Sequence, residues 1–440
     1  MKVILVLLDG LGDRTYPELG HKTPLAAADT PNLDRLSEKG SNGIFHAIAP
    51  GRCLPSETAH FLMFGYDWAD FPGRGLFEAI GENVEFDDAD ILVLAHLSKA
   101  GFFEDNVLKL ECGRDEVTGD RRDLRPIYQR LTPYEYDGIS FNLHHTGRND
   151  AILVVSGDVS PDISDSDPIL RGMPVGRVDA LAETREPKRA AKTAEAMNQY
   201  LTWCHYRLKH MPPVNNSSIQ ANFLLTQRSG RRIIQEPFSA KWGFSPALIA
   251  TGGVYKGIAK ELGFDFIKSV DTAHPGKDLS DRIRTALDDK THDFIHVHTK
   301  VPDDVSHKGD PLAKTAAIGA LDSGFAGLID ALENNSGLLA VITADHSTPS
   351  RSALIHSGET VPVVIAGGAI RKDPIDRFDE IAAISGSLGL LRGSELMHVI
   401  LNCSDKAVLE GIRLGRNKKP YLDDTYPPFL VSGSKNRPEQ

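Results

Sequence analysis

The chain opens with Val3-Ile4-Leu5-Val6-Leu7-Leu8 and runs straight into Asp9-Gly10. An unbroken apolar run ended by a turn pair describes a strand buried on both faces, the kind that lies inside a parallel sheet. Residues 294–298 and 338–343 repeat the pattern, each after a helical stretch, about 278–289 and 311–334. A shorter strand at 361–365 ends at Gly367-Gly368. Strands that alternate with helices predict an α/β fold with a mostly parallel sheet flanked by helices. Near the start, Thr30 is expected to cap a helix whose first position is Pro31.

The 440 residues are enough for two or three domains, or for one core with a large insertion. The stretch 72–237 differs in character, with charged loops, scattered Gly and Pro, and an alternating pattern at 151–155. It reads as an inserted α+β domain, with a helix from Pro187 to about Lys209 and a Pro/Asn/Ser-rich loop at 212–218. The expected core is then 1–71 and 238–440, with hinges near Pro72 and Pro237. With 49 Lys+Arg against 60 Asp+Glu, the net charge of −11 speaks against a general nucleic-acid binder, which needs a basic surface. No apolar run approaches the roughly 20 residues of a bilayer span, so no membrane is expected as a partner. The four cysteines, Cys53, Cys112, Cys204 and Cys403, form no CxxC pair, which leaves a reducing cytoplasm as the expected location.

Ligands of open α/β sheets gather at the carboxyl ends of the strands, where Asp9, Asp345 and His346 are expected to meet. Asp9 taken alone reads equally as a turn or capping aspartate. Asp303 and His307 stand four apart, a spacing that suits one metal ion and equally a solvated ion pair. His356 alone reads as structural. Carboxylates and imidazoles suit Mn²⁺, Zn²⁺, Co²⁺ or Mg²⁺, and composition does not choose among them. Ser56 precedes a helix expected over 58–64; it is either an N-cap or a nucleophile activated by a metal. His60 lies one turn further on.

The succession Asp9, Thr30-Pro31-Asn32-Leu33, Ser56, Asp303 with His307, Asp345-His346 and His356 is similar to that of the alkaline phosphatase superfamily. Within it the chain resembles the cofactor-independent phosphoglycerate mutases of the archaeal type. The segments that carry this include Leu8-Asp9-Gly10-Leu11-Gly12-Asp13, Ser56-Glu57-Thr58-Ala59-His60, Pro72-Gly73-Arg74-Gly75 and Asp165-Ser166-Asp167-Pro168. Tyr255-Lys256-Gly257-Ile258, Asp345-His346-Ser347-Thr348-Pro349 and His356-Ser357-Gly358 continue the series, and the likeness runs from Met1 to about Ile400. It implies an alkaline-phosphatase-like core with an inserted cap that closes over it. It also implies two divalent ions, Mn²⁺ foremost, with Zn²⁺, Co²⁺ or Mg²⁺ as alternatives. By matching motifs, Asp303, His307 and His356 hold one ion, and Asp9, Ser56, Asp345 and His346 hold the other. Ser56 takes up the phosphoryl group as phosphoserine, and Lys300 helps bind the substrate phosphate. The implied activity is the glycolytic interconversion of 3- and 2-phosphoglycerate.

The insert departs from the family in its arginines, which recognise carboxylate and phosphate in a bidentate way. Leu94-Ala95-His96, Ser156-Gly157 and Asn215-Asn216-Ser217-Ser218 stand where the family carries Arg. Arg121, Arg122, Arg148 and Arg228 remain as candidates for the substrate, a small phosphorylated carboxylic acid. The departures motivate an alternative with the same metal centre: a phosphomonoester or phosphonate hydrolase, or a mutase of another small phosphorylated acid. Cys53-Leu54-Pro55-Ser56 is similar to the sulfatase signature, but Glu57 stands where that signature has Arg. A non-catalytic metal-binding protein is a third reading, and it sits poorly with an intact set of seven ligands. The sequence leaves oligomeric state open.

Overall fold

In the computed structural model, residues 1–103, 107–112, 117, 123–147, 149–211, 220–423 and 426–430 are described. In chain order the strands are β1 (Lys2–Leu8), β2 (Gly40–His46), β3 (Ile91–Phe102), β4 (Leu108–Cys112), β5 (Tyr134–Tyr136), β6 (Ile139–Gly147) and β7 (Asp150–Ser156). They continue as β8 (Phe223–Arg231), β9 (Pro246–Ala250), β10 (Asp265–Lys268), β11 (Phe294–Thr299), β12 (Leu338–Thr343), β13 (Val361–Gly367) and β14 (Gly389–Arg392). The chain divides into two compact units. One comprises Met1–Gly65, Glu236–Ile249 and Ser269–Gln440, and the other Tyr66–Gln235 and Ala250–Lys268.

In the first unit the strands run in the order β9-β11-β1-β12-β13-β2-β14. Parallel pairing joins β9 to β11, β11 to β1, β1 to β12 and β2 to β14, while β13 runs antiparallel to both of its neighbours. β1 is central, and its residues 3–8 are wholly buried, as the apolar run requires. Register places the site. Leu8 lies opposite Thr299 and Leu7 opposite Thr343, so Asp9, Lys300 and Asp345 leave three adjacent strands at nearly the same level.

One local expectation is corrected. The Thr30 side chain makes no capping hydrogen bond to helix Pro31–Lys39. The Asp322 carboxylate does this instead, accepting from Asn32 N at 3.0 Å and Leu33 N at 2.8 Å. Free backbone donors at a helix start accept any well-placed oxygen, local or remote. The segment Pro311–Asn334 is long and apolar enough, by length and composition alone, to cross a membrane. It is divided by a 3₁₀ turn at Ser323–Phe325, and it buries and hydrogen-bonds Lys314 and Asp322, as a core helix does.

The second unit holds an antiparallel sheet, β4-β3-β7-β6-β5 with β8 also paired to β3, and the helix Pro187–Lys209. Its helices Arg74–Glu82 and Gly253–Leu262 approach closely: a Cβ on Gly257 would lie 1.7 Å from Phe77 O. Only glycine permits that packing.

Candidate metal centre

Ser56 is the first residue of helix Ser56–Met63, and Pro55 occupies the capping position. Its hydroxyl therefore does not cap the helix. It faces Asp9 Oδ1 at 3.4 Å and His346 Nε2 at 3.1 Å. Asp9 Oδ2 accepts from His298 Nε2 at 3.0 Å. The imidazole must be the donor there, because a carboxylate only accepts. Asp345 Oδ1 accepts from Gly10 N at 3.2 Å and His346 N at 3.0 Å. Asp345 Oδ2 is buried without a hydrogen-bond partner among the described residues, 3.3 Å from His346 Nε2.

Asp303 lies in the short helix Val301–Ser306, and His307 ends it. Asp303 Oδ1 stands 3.3 Å from His307 Nε2 and 3.6 Å from His356 Nε2, and it accepts from Thr348 Oγ1 at 2.7 Å. Asp303 Oδ2 accepts from Lys300 Nζ at 2.7 Å, and that ammonium is 3.7 Å from Asp9 Oδ2. The His356 and His346 rings stack at 3.8 Å. His356 Nδ1 bonds Leu54 O at 2.7 Å, which turns Nε2 towards the carboxylates.

Charge follows from this crowding. Burial, then the neighbouring Asp9 carboxylate, pushes the Asp345 carboxyl well above its usual range. Burial raises Asp9 as well, but Lys300 and the His298 hydrogen bond outweigh it and hold Asp9 low. Burial opposes the charge on Lys300, yet Asp9 and Asp303 more than offset that and raise its pKa. Burial, then His356, pushes His346 down to about 3, and burial also lowers His356. These two imidazoles are therefore neutral, with lone pairs to offer.

The donor set fits divalent ions. Asp303, His346 and His356 offer donor atoms within 4.8 Å of one another, and so do Asp9, Asp345 and His346. Buried carboxylates beside neutral imidazoles are ready-made ligands, and a cation would relieve both their mutual repulsion and the unpartnered Asp345 oxygen.

The profile of the metalloenzyme superfamily matches residues 1–403. A 2,3-bisphosphoglycerate-independent phosphoglycerate mutase of Methanocaldococcus jannaschii is 38% identical, with 96% of this chain and 97% of that protein covered. The corresponding mutase of Methanopyrus kandleri is 34% identical over 92% of this chain and 97% of its own length. This chain belongs to the cofactor-independent phosphoglycerate mutase family. Among solved structures, a cofactor-independent phosphoglycerate mutase from Thermoplasma acidophilum is 26% identical with a TM-score of 0.59, covering 92% of this chain and 100% of that one. A Pyrococcus horikoshii protein, also 26% identical, has a TM-score of 0.73 and covers 93% of this chain and 99% of that one. The fold is thus that of these structures, a mostly parallel α/β core with an inserted α+β domain.

In this mutase-family chain, Asp9, Ser56, Asp303, His307, Asp345, His346, His356 and Lys300 lie together at one end of the first unit's sheet. The geometry places His346 beside both carboxylate groups, whereas the motif match assigns it to one. Arg121, Arg122 and Arg148 lie outside the described residues. Arg228 lies in β8 with a left-handed backbone (φ 57°), and its N–H donates to Asp165 Oδ1 at 2.7 Å. Sequence reasoning assigned no role to His298 or Thr348. The available signal was polarity out of place: His298, with His296, interrupts the wholly buried strand Phe294–Thr299.

Proposed function

We propose that this chain interconverts 3-phosphoglycerate and 2-phosphoglycerate without a bisphosphoglycerate cofactor, in the cytoplasm, by way of a phosphorylated Ser56. The observation that carries the reading is the Ser56 hydroxyl. It is freed from helix capping and sits within 3.4 Å of Asp9 and 3.1 Å of His346. We assign Asp303, His307 and His356 to one divalent ion and Asp9, Ser56, Asp345 and His346 to a second, with Mn²⁺ as the metal. When bound, such ions supply positive charge that ionises a serine hydroxyl and neutralises a transferring phosphoryl group.

The chain's own groups do the rest. Ser56 Oγ attacks the phosphorus of the bound ester. The O–P bond to the glycerate oxygen breaks as the serine O–P bond forms, and the serine proton passes to the released alkoxide. The glycerate then reorients, its other hydroxyl attacks the phosphoserine, and Ser56 Oγ leaves and takes up the proton that this hydroxyl gives up. Lys300, kept cationic by Asp9 and Asp303, contacts the phosphate oxygens. The helix N-terminus at Ser56 adds backbone dipole at the same point. Residues 72–237 act in this proposal as a substrate-binding cap, with Arg121, Arg122, Arg148 and Arg228 as carboxylate and phosphate ligands.

The test is to incubate metal-loaded protein with 3-phosphoglycerate, chelate the metal, and record phosphorus NMR beside a Ser56→Ala control. The expected outcome is 2-phosphoglycerate from the wild type and a loss of roughly 10⁴-fold or more in the variant. Equal isomerisation by the two proteins would end the proposal. Free phosphate would favour the second reading as a hydrolase, and no product at all would favour it as a mutase of another phosphorylated acid. What supports that reading is the insert's departure in its arginines, the segment Leu94-Ala95-His96 among them, where His96 is buried 3.7 Å from Asp167 Oδ2.

A further inference from the structure

We infer that Lys314 is a positioning residue for the metal centre: its buried ammonium pins together the two loops that carry the Asp9 and Asp345-His346 ligands. The inference rests on the reading of those residues as metal ligands.

Lys314 lies in the first turn of helix Pro311–Asp322 and is wholly buried. Burying an ammonium is costly unless its donors are met. Here they are met by the two loops. Nζ donates to Gly10 O at 2.9 Å, Gly12 O at 3.0 Å and Thr348 O at 2.9 Å, and Asp13 Oδ2 stands at 3.2 Å. Three N–H groups thus serve three carbonyls with a carboxylate beside them, which uses the full capacity of a lysine.

Those carbonyls lie close to the ligands in sequence. Gly10 follows Asp9, and its N–H donates to Asp345 Oδ1. Thr348 is two residues past His346, and its hydroxyl bonds both His346 Nδ1 and Asp303 Oδ1. The loops touch without slack. Thr348 N donates to Gly12 O at 2.9 Å. A Cβ on Gly12 would fall 2.1 Å from Ser347 Oγ, and one on Gly10 would fall 2.6 Å from Thr348 Oγ1. Three carbonyl oxygens converging from two loops repel one another. A point cation among them reverses that repulsion and fixes the loop spacing, hence the distance between the Asp9 and Asp345 carboxylates.

Asp13 ties the clamp to its surroundings. Its carboxylate also accepts from Tyr16 OH at 2.7 Å and Ser350 Oγ at 2.6 Å, and its N–H donates to Glu380 Oε1 at 3.3 Å. Methionine at 314 would match the shape of lysine and leave the three carbonyls facing each other. Groups that orient metal ligands from behind typically change metal affinity about 10–100-fold when removed.

The experiment compares wild type, Lys314→Met, the double variant Asp13→Asn/Lys314→Met and an exposed control, Lys372→Met. The double variant avoids leaving the Asp13 charge unpaired should the single variant fold poorly. Amide hydrogen exchange is measured on metal-free protein, and Co²⁺ is titrated by visible absorption. The expected result is faster exchange confined to amides in 10–13 and 346–350. Co²⁺ binding is expected to weaken about 10–100-fold with an altered spectrum, in Lys314→Met or the double variant and not in the control. Exchange and affinity within twofold of wild type would overturn the inference. So would acceleration spread evenly through β1, β11 and β12, which marks a purely structural lysine. If the wild type itself takes up no Co²⁺, the ligand reading fails, and the exchange pattern alone still decides the role of Lys314.

Discussion

At the sheet end of the first unit, Asp9, Asp303 and Asp345 are buried together, and Lys300 is the lysine that stands beside two of them. In the second unit, several charges are matched in small local sets. Arg232 meets Glu261 through two hydrogen bonds at 3.1 and 2.9 Å and Asp88 through a third at 3.2 Å. Arg74 pairs with Glu78 one helical turn away. A region whose negative groups exceed its fixed positive ones stores repulsion, and folding alone gives no reason to keep it. A region of matched pairs is a scaffold. The contrast marks the first site as one built for cations that arrive from solution, and it can be broken by experiment.

The largest effect is expected at Asp345. Asparagine can keep the hydrogen bonds from Gly10 N and His346 N, and it removes a buried carboxylate that Asp9 already opposes. Asp345→Asn should therefore melt higher than the wild type in the absence of metal. It should lose the stabilisation that added metal gives, and its isomerase activity should fall roughly 10³-fold or more. Calorimetry with and without Mn²⁺ checks this. A metal-free variant that melts below the wild type would mean that the carboxylates are not in tension.

A second buried acid in the first unit asks whether the tension extends beyond the metal centre. Burial pushes the Glu380 carboxyl up to about 7, from an ordinary 4.5. The folded chain thus keeps a proton that the unfolded chain has released, so stability is full below pH 4.5 and falls as pH rises through 7. Glutamine has no proton to lose, and the Thr23 hydroxyl bonded to Glu380 can reverse its role to suit the new amide. Glu380→Gln should match the wild type at pH 4.5 and exceed it by a few kcal/mol at pH 8. Urea unfolding at the two pH values gives the answer, and equal pH profiles would count against a raised Glu380.

A smaller effect is expected in the second unit. If Arg228 contacts a substrate anion, Arg228→Ala should raise KM about tenfold and leave kcat nearly unchanged. An unchanged KM would remove Arg228 from the substrate site.

Legibility follows the same division. β1 and β12 were readable because wholly buried strands show as apolar runs, and the meeting of Asp9 with Asp345 was readable because register carries both to one level once those strands are parallel neighbours. Helix Pro187–Lys209 was readable from its own start and length. What was hidden depends on partners remote in sequence. Asp322 caps a helix 290 residues before it, and Lys314 is a lysine in a helical first turn that would ordinarily face water. His298 shares its wholly buried strand with a second histidine, His296, so its polarity alone does not single it out as a site residue. The composite helix at Pro311–Asn334 is apolar because it faces a core, and composition does not distinguish that core from a bilayer.

Tyr200 closes the comparison from the other side. In the second unit its ring stacks on Phe141 at 4.8 Å, and its buried hydroxyl donates to Leu131 O at 2.9 Å. Phenylalanine keeps the ring and leaves one carbonyl with less than its due, so Tyr200→Phe should cost about 1 kcal/mol of stability. It should leave Co²⁺ affinity and kcat unchanged. Asp345→Asn is expected to do the reverse, gaining metal-free stability and losing function. If Tyr200→Phe instead weakened metal binding as strongly as a change among the ligands, the assignment of tension to one region and scaffolding to the other would fail. Chemical unfolding and a Co²⁺ titration on the same sample decide it.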